Sequence, residues 1–482
     1  MLLVVKIFLA VTDGPGIRNF VHGRFLSVLK SAGLSVTIYS GVHTEALRAT
    51  AGEQLDGIET CELPIYRETQ FSHLLRKSVE LAHMKRFGTM PMRLNLTWGA
   101  PRGMSRGAIG NRVAYSLGEI CRRPGGIRRL SAQHERSVLS HPLTQHYRSL
   151  LRDAKPDLLF VTHQRPPQSS PLVAAAKSLG IPTAAFIFSW DNLTSKGRIP
   201  IAYDHYLVWS DHMRSELLRF YPDVRPNCVH VVGTPQFEPY AYPEFGWSEE
   251  RFSIELGLTG GHRRICFSCG DRSTSPNDPA YLRALAAANR AGAFEVPVDL
   301  IVRPSPAESD ERFRSVIQEY PELKWSTPRW IQTRPAHPEP WSQRIPTVDD
   351  IHLLKSTISY CDVNVNVAST MTLDFAQAGK PVVNVGFGGN GGDSPGFDDF
   401  IYYSFDHYRP VLELSAARLA RTERELVGAV NSYLSNPDLD AAGRKRLIDL
   451  QVGLPLRGTS ERIVDTLLSI PTRNAARVSC LA

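Results

Sequence analysis

The chain has 482 residues, of which 42% are hydrophobic and 21% are charged, and its formal net charge is +7. This ordinary globular composition excludes a disordered, collagen-like or disulfide-stapled protein, and the length predicts two large domains or three ordinary ones. No stretch of 18 apolar residues occurs, so no membrane-spanning helix is predicted.

The chain begins with an apolar run, residues 1–10, that lacks a basic leader and is followed by a poor cleavage site, Thr12-Asp-Gly-Pro15. We therefore expect a buried first strand rather than a signal peptide. Seven cysteines are scattered along the chain, which predicts free thiols in a reducing compartment, the cytoplasm. The pair Cys266 and Cys269 lies in an apolar run and indicates core thiols rather than a zinc or redox site.

Predicted strands and helices alternate in both halves of the chain, which is typical of parallel sheets wound with helices. We predict an α/β protein with two doubly wound, Rossmann-like domains facing a cleft. Ligands of such folds bind at the carboxyl ends of the strands. The expected segments are an acceptor domain at 1–234 with a basic insertion at about 65–150, a linker at 235–247, a donor domain at 248–470 and a flexible tail at 471–482.

The positive charge is concentrated between Leu74 and Arg136, where thirteen Lys or Arg accompany three Glu. Such a segment favours a polyanion or an anionic membrane surface, and a solvated insertion is an equally good interpretation. It holds few aromatic residues, so it lacks the stacking platform of a single-stranded nucleic-acid binder. We expect no nucleic-acid partner.

The most informative stretch is residues 361–385, where a strand runs into Ser369 and a helix follows at once. This predicts unpaired backbone amides at Thr370–Thr372, beside the hydroxyls of Ser369, Thr370 and Thr372, as a site for a diphosphate. Asp374 lies one helical turn after Thr370, where it can accept hydrogen bonds from a ribose diol. The simpler interpretation makes Ser369 a helix cap and Asp374 a surface residue.

Residues 369–382, S-T-M-T-L-D-F-A-Q-A-G-K-P-V, resemble the donor-site helix of nucleotide-sugar glycosyltransferases with the two-domain GT-B fold. The resemblance implies that fold and makes Asp374 the acid that binds the donor ribose. Residues 300–306 resemble the basic-Pro segment of CDP-glycerol glycerophosphotransferase-like and capsule-polysaccharide enzymes. Ser305 stands in place of the histidine of that segment, which favours glycosyl transfer over glycerophosphate transfer.

Further candidates follow predicted strand ends. Arg272 and Arg303 can pair with donor phosphates. The base near the acceptor hydroxyl is expected to be Asp191 or His22, with Asp13 in reserve. Each of these three has an ordinary alternative role as a cap, a turn residue or a solvated residue. Enzymes of this fold usually need no metal, and we expect neither a metal nor another cofactor.

We therefore expect a metal-independent glycosyltransferase, cytoplasmic and peripheral at the inner face of the membrane. It would carry a sugar from a nucleotide-sugar donor to a lipid-linked or surface-polysaccharide acceptor. The alternatives are a CDP-glycerol-type glycerophosphotransferase, a non-hydrolysing nucleotide-sugar epimerase, and a nucleotide-sugar-binding scaffold without activity. The scaffold interpretation is favoured if Asp191, His22 and Asp13 all point away from the cleft.

Overall fold

The computed structural model describes residues 5–103, 105–337, 339–387 and 399–471. Its described residues form two compact units. The first contains the described parts of Met1–Pro235, Gln332–Ile345 and Gly458–Ala482, and the second contains those of Gln236–Ile331 and Pro346–Arg457. The predicted tail, apart from Pro471, lies outside the described residues.

Within the described residues of the first unit, seven parallel strands form one sheet in the order β3-β2-β1-β4-β5-β6-β7. The strands are β1 Lys6–Val11, β2 Ser35–Ser40, β3 Glu59–Glu62, β4 Leu158–Val161, β5 Thr183–Phe186, β6 His205–Val208 and β7 Val229–Val231. The central strands β1, β4 and β5 are buried almost throughout because helices cover both of their faces.

The helices of this part of the chain are α1 Gly14–Phe20, α2 Phe25–Ser31, α3 Thr44–Ala51, α4 Gln70–Phe87, α5 Met90–Trp98, α6 Arg106–Ile120, α7 Pro124–Leu139, α8 Pro142–Ala154, α9 Ser170–Ser178, α10 Asn192–Ser195 and α11 Asp211–Phe220. The predicted basic insertion is thus helical from α4 to α8, with α4 packed on α6 and α7. Among the described helices, none is long and apolar enough to cross a bilayer.

The second unit holds a six-stranded parallel sheet, counted over its described residues, in the order β10-β9-β8-β13-β14-β15. Its elements are α12 Glu249–Leu256, β8 Arg263–Ser268, α13 Asp278–Arg290, β9 Val298–Arg303, α14 Arg314–Glu319, β10 Lys324–Trp325, α15 Val348–Tyr360, β13 Val363–Asn366, α16 Met371–Gln377, β14 Val382–Val385, α17 Arg409–Glu413, β15 Arg418–Ala420, α18 Glu423–Ser435 and α19 Ala441–Gln451. The strands β11 Trp330–Gln332 and β12 Arg344–Pro346 pair as a separate ribbon, and α20 is Thr459–Ser469.

Two segments that the sequence predicts to lie in the second domain belong to the first unit. Residues 332–345 are held there because the Arg334 and Gln343 side chains donate hydrogen bonds to the carbonyl of Gly41, at 2.8 and 3.0 Å. Helix α20 packs on α2, and Arg24 pairs with Glu461 at 3.0 Å. The two units are therefore defined by which residues pack together and not by their order in the sequence.

The predicted linker 235–247 is, apart from Pro235, a packed part of the second unit. Two short 3-10 turns, Glu238–Ala241 and Pro243–Phe245, form within it. Phe237 is fully buried, and the Lys355 ammonium donates to the carbonyl of Tyr242. Its aromatic residues therefore anchor the segment instead of spacing two domains.

Alternating residues of β13 serve two purposes. Val363 and Val365 point into the apolar core of the second unit. Asn364 and Asn366 are also wholly buried, and the amide of Asn366 donates to Asn364 Oδ1 at 2.6 Å. The carboxamide of Asn384 on β14 donates to Asn366 at 3.1 Å. A hydrogen-bonded polar layer therefore lies on the sheet, and it holds these side chains in one arrangement.

One buried histidine of the first unit lacks any hydrogen-bond partner among the described residues. Both ring nitrogens of His83 are unpaired, and the ring packs against Phe87 and Tyr221 at centroid distances of 4.8 and 5.2 Å. Burial, aided by nearby arginines, holds the pKa of His83 well below its usual value of 6.5. The imidazole is therefore neutral in the folded protein at pH 7.

We predict that His83→Phe stabilises the protein by about 1 kcal/mol at pH 7.5, because it removes buried polar atoms that have no partner. Below pH 6.5 the unfolded wild-type chain takes up a proton at this position and the folded chain does not, so the wild type loses stability that His83→Phe keeps. Calorimetric melting midpoints should therefore diverge further between pH 7.5 and pH 5. The exposed His146→Phe serves as the control, and a gap that stays constant with pH would contradict the prediction.

Candidate functional sites

The sheet of the first unit changes direction between β1 and β4. From β1 the chain proceeds to β2 and β3 on one side, whereas β4 to β7 follow on the other side. Ligands of doubly wound sheets bind at such a switch point, outside the carboxyl ends of the strands. Asp13 follows the end of β1 by two residues, and His163 follows the end of β4 by two residues.

Asp13 and His163 form a buried pair at this position. His163 Nδ1 lies 2.6 Å from Asp13 Oδ2, and the other carboxylate oxygen accepts the backbone N–H of Gly16 at 2.8 Å. The imidazole also stacks on Phe188, with 4.2 Å between ring centroids. Burial raises the pKa of Asp13, but His163 and the hydrogen bonds outweigh it, so the pKa lies below its usual value of 3.8.

Asp191 lies nearby, at the same edge of the sheet. It precedes α10, and its carboxylate accepts hydrogen bonds from Ser195 at 2.7 Å and from Asn192 at 3.2 Å. The Gln164 side chain, next to His163, donates to Asn192 and accepts the amide of Phe188, both at 3.0 Å. The loops after β4 and β5 are therefore tied together around the Asp13–His163 pair.

His22 lies in the turn between α1 and α2 and not on a helix. Helix α1 begins at Gly14, with Asp13 as its cap and Pro15 in its first turn, and it ends at Phe20, before His22. The His22 side chain is wholly buried. The structure therefore brings Asp13, His163 and Asp191 to one edge, and it places His22 behind the helix that Asp13 caps.

The segment 332–345, which we call the hairpin, lies against the turn after β1. A Cβ atom placed on Gly14 would lie 1.7 Å from the carbonyl oxygen of Arg344, so only glycine permits this approach. Gly41 is equally restricted, because a Cβ atom there would lie 2.2 Å from the carbonyl oxygen of Thr12. The two glycines thus permit close packing beside Asp13.

In the second unit the corresponding change of direction falls between β8 and β13. These strands are neighbours, with Ser268 in register with Asn366. The loops that follow them, at 269–277 and 367–370, therefore start side by side. Two of the predicted phosphate-binding groups, Arg272 and the tip at Ser369, lie on these two loops.

The tip at Ser369 differs from the prediction of unpaired amides. The N–H of Ser369 donates to Asn366 Oδ1 at 3.0 Å, the N–H of Met371 donates to the Ser369 hydroxyl at 3.3 Å, and the N–H of Thr372 donates to the Ser369 carbonyl at 3.0 Å. Ala368 takes a φ of +39°, which turns the chain back on itself. The tip is capped by its own chain, and it presents hydroxyls rather than amides.

Thr372 and Asp374 are structural in this arrangement. The Thr372 hydroxyl is fully buried between Asn366, at 3.1 Å, and the hydroxyl of Tyr408, at 2.7 Å. Asp374 is 4% exposed, and its carboxylate accepts the Tyr240 hydroxyl at 2.5 Å. The half-buried Ser369 and Thr370 are the two residues of the predicted set that lie at the surface of the tip.

The two predicted arginines have different environments. Arg303 is buried, and its guanidinium pairs with Asp350 at 2.9 Å and donates to the carbonyl of Ser326 at 3.2 Å. It joins β9 to α15 and is not offered to a ligand. Arg272 is exposed, and no acid among the described residues forms an ion pair with its guanidinium.

His163 is the functional candidate that the site predictions did not include. His163 follows an apolar strand, as Asp13 does, and this pattern is visible in the sequence. Its partner lies 150 residues away in the chain, so only the order of the strands shows that the two residues meet.

Solved structures that resemble this chain include UDP-GlcNAc 2-epimerase from Neisseria meningitidis bound to UDP-GlcNAc, with a TM-score of 0.52, 10% identity, and coverage of 96% of this chain and 100% of that chain. UDP-N-acetylglucosamine 2-epimerase from Rickettsia bellii matches with a TM-score of 0.52 and 11% identity, and the match covers 97% of each chain. A glycosyltransferase from Rickettsia africae matches with a TM-score of 0.51 and 11% identity, and the match covers 97% of this chain and 100% of that chain.

No family model matches the sequence, and no curated protein matches it either. At identities of 10–11% the structural likeness establishes the fold alone. The chain has the α/β GT-B fold, with a doubly wound parallel sheet in each unit. This confirms the fold that the residues around Asp374 imply by resemblance.

We predict that Gly14→Ala displaces the hairpin, because the new methyl group cannot fit beside the carbonyl of Arg344. Limited trypsin digestion should then cut at Arg334 and Arg344 faster than in the wild type, with the new ends identified by mass spectrometry. Gly428→Ala is the matched control, because no atom lies near its added methyl group. Equal cleavage rates in Gly14→Ala and the wild type would contradict the prediction.

Proposed function

We propose that this chain is a glycosyltransferase that moves a sugar from a nucleoside-diphosphate sugar to a lipid-linked or surface-polysaccharide acceptor. The observation that carries the proposal is the buried Asp13–His163 pair at the switch point of the first unit. A histidine oriented by a carboxylate is suited to take a proton from a hydroxyl group. Solved proteins of this fold include a glycosyltransferase and an enzyme bound to UDP-GlcNAc.

In the proposed reaction, the hydrogen bond between Asp13 and His163 leaves Nε2 of His163 to take the proton. An ionised carboxylate only accepts hydrogen bonds, so His163 donates through Nδ1 and its Nε2 is left as the basic nitrogen. The lowered pKa of Asp13 keeps this carboxylate ionised. Nε2 then takes the proton from the acceptor hydroxyl as that oxygen attacks. Stacking on Phe188 holds the ring in this orientation.

The bond changes of the transfer balance without a further reactant. The acceptor oxygen forms a bond to the anomeric carbon, and the bond from that carbon to the diphosphate oxygen breaks. The electron pair leaves with the nucleoside diphosphate, whose developing charge Arg272 and the hydroxyls of Ser369 and Thr370 would stabilise. A single displacement of this kind inverts the configuration at the anomeric carbon.

The reaction proposed needs no metal ion, so chelation with EDTA should leave its rate unchanged. We place it in the cytoplasm, at the inner face of the membrane. The six cysteines that the structure describes are free thiols, four of them buried, which supports a reducing compartment.

Epimerisation of a nucleotide sugar is the second candidate function. Two carboxylates, Asp13 and Asp191, lie with His163 at one edge of the sheet, and an epimerase needs such groups to move protons. Solved structures with this fold are named UDP-GlcNAc 2-epimerases. Inversion at carbon 2 breaks its C–H bond, so incubation with UDP-GlcNAc alone in D₂O would give deuterium at that carbon.

The donor is tested by a thermal-shift screen of the full chain against UDP-, GDP-, CDP- and dTDP-sugars and CDP-glycerol. We expect stabilisation by a nucleotide sugar, followed by acceptor-dependent release of nucleoside diphosphate with an inverted product. Stabilisation and turnover with CDP-glycerol alone would assign a glycerophosphotransferase. Binding without turnover of any donor would leave a scaffold, and the absence of binding would contradict the proposal.

We predict that His163→Ala lowers kcat by about 10²–10⁴-fold, because the proton loses its acceptor. Asp13→Asn should lower kcat as well, since it no longer selects the basic nitrogen of His163. Neither change should alter the affinity for the nucleotide, which calorimetric titration measures. His22→Gln is the comparison variant, and a loss of kcat confined to that variant would move the base to His22.

We further predict that Arg272→Gln weakens binding of the nucleoside diphosphate by about tenfold, because a charge-assisted contact to phosphate is lost. The melting midpoint of the free protein should not change, since this side chain is exposed. Arg424→Gln, an exposed arginine on α18, provides the matched control. An unchanged affinity in Arg272→Gln would remove Arg272 from the site.

A further inference from the structure

Helix α6 carries a line of apolar side chains that the proposed transfer reaction does not use. Ile109, Val113 and Ile120 are 49%, 44% and 76% exposed. Their spacing of four and seven residues places them on one face of the helix, over about 16 Å of its length. We call this line the α6 stripe.

Exposed apolar groups are concentrated in this part of the molecule. Among the described residues, seven of the thirteen exposed large apolar side chains lie between Ile65 and Ile120. Three of them are more than half exposed, namely Phe71 on α4, Trp98 at the end of α5 and Ile120 of the α6 stripe. Scattered apolar residues on a surface need no explanation, but a concentration of this kind indicates an interaction surface.

Positively charged residues lie on α6 and in the chain that follows it. Arg112 lies on α6 beside Val113, and four exposed arginines follow the end of the helix, namely Arg122, Arg123, Arg128 and Arg129. Glu119, the acid of α6, is paired with Lys85 at 2.9 Å and with Arg122 at 3.1 Å. Glu80 on α4 is likewise paired with Arg76 and Lys77. The acids of the insertion are therefore few and already neutralised.

We propose that the α6 stripe docks on an anionic lipid bilayer, with its apolar side chains in the headgroup region and the surrounding arginines on lipid phosphates. Helices with an apolar line flanked by Lys or Arg bind such interfaces through burial of the apolar side chains and through attraction of the cations to anionic lipids. The complementarity of charge selects an anionic surface, and the apolar line selects one that apolar groups can enter. This surface lies outside both candidate sites, and the assignment does not depend on the transfer reaction.

A nucleic acid fits this surface less well than a bilayer. Single-stranded chains bind where aromatic faces are open for stacking. Phe87 packs against Phe220 with 5.1 Å between centroids, and the Tyr115 hydroxyl donates to the carbonyl of Leu96 at 2.9 Å. Of the three aromatic residues in the basic segment, Trp98 alone is exposed. The phosphodiester backbone would also leave the α6 stripe uncovered.

The test is co-sedimentation of the full chain with vesicles of phosphatidylcholine alone and of phosphatidylcholine mixed with phosphatidylglycerol. We expect binding to the mixed vesicles, with release as the salt concentration rises. The triple variant Ile109→Gln, Val113→Gln and Ile120→Gln should bind them about tenfold more weakly. Ile254→Gln is the matched control, because Ile254 is 75% exposed on α12 in the second unit.

A second variant separates the charge from the apolar contact. Arg123→Gln with Arg129→Gln should weaken binding and reduce its dependence on salt, whereas Arg424→Gln should change neither. Equal melting midpoints of all variants establish that the fold is kept. Equal binding to both vesicle types, wild-type binding by the triple variant, or tighter binding to single-stranded RNA than to mixed vesicles would each overturn the proposal.

Discussion

The hydrogen bond between Asp13 and His163 depends on the order of the strands. β1 and β4 are neighbours at the point where the sheet of the first unit changes direction, so the residues that follow them meet although 150 positions separate them. Helix α1 begins directly after Asp13, because its carboxylate caps the Gly16 amide, which also orients the other oxygen toward the imidazole. One residue thus caps a helix, ties two strand ends and orients the proposed base.

The sheet of the second unit also changes direction between two neighbouring strands, and the loops after them carry the proposed diphosphate-binding groups. Its switch point lies between β8 and β13, and the polar layer of Asn364, Asn366 and Asn384 supports the tip that follows β13. Asn366 of that layer accepts the Ser369 amide and donates to the Thr372 hydroxyl, and Ser369 itself accepts the amides of Met371 and Thr372. Ser369 and Thr370 are the proposed neutral donors of the tip. In the proposed reaction Arg272, on the adjacent loop, would supply the charge that a diphosphate requires, and the hydroxyls of the tip would supply neutral hydrogen bonds.

Much of this organisation can be predicted from the sequence, because it rests on local patterns. Alternating strands and helices indicate the doubly wound sheets, and polar residues after apolar runs, such as Asp13, indicate the edge where ligands bind. The partners of those residues could not be predicted. Arg303 ends a strand and Arg272 follows one, yet Arg303 is buried and paired with Asp350, 47 residues later. Such pairs depend on which elements pack together, as does the return of the hairpin to the first unit.

The central claim is that Asp13 makes Nε2 of His163 the basic nitrogen. Nitrogen NMR of the protein labelled at histidine with ¹⁵N, with the His163 signals assigned by His163→Gln, measures this tautomer directly. We expect a proton on Nδ1 of His163 in the wild type, and loss of this preference in Asp13→Asn. A proton on Nε2 in the wild type would contradict the account, because the nitrogen assigned to the acceptor hydroxyl would then be unable to take its proton.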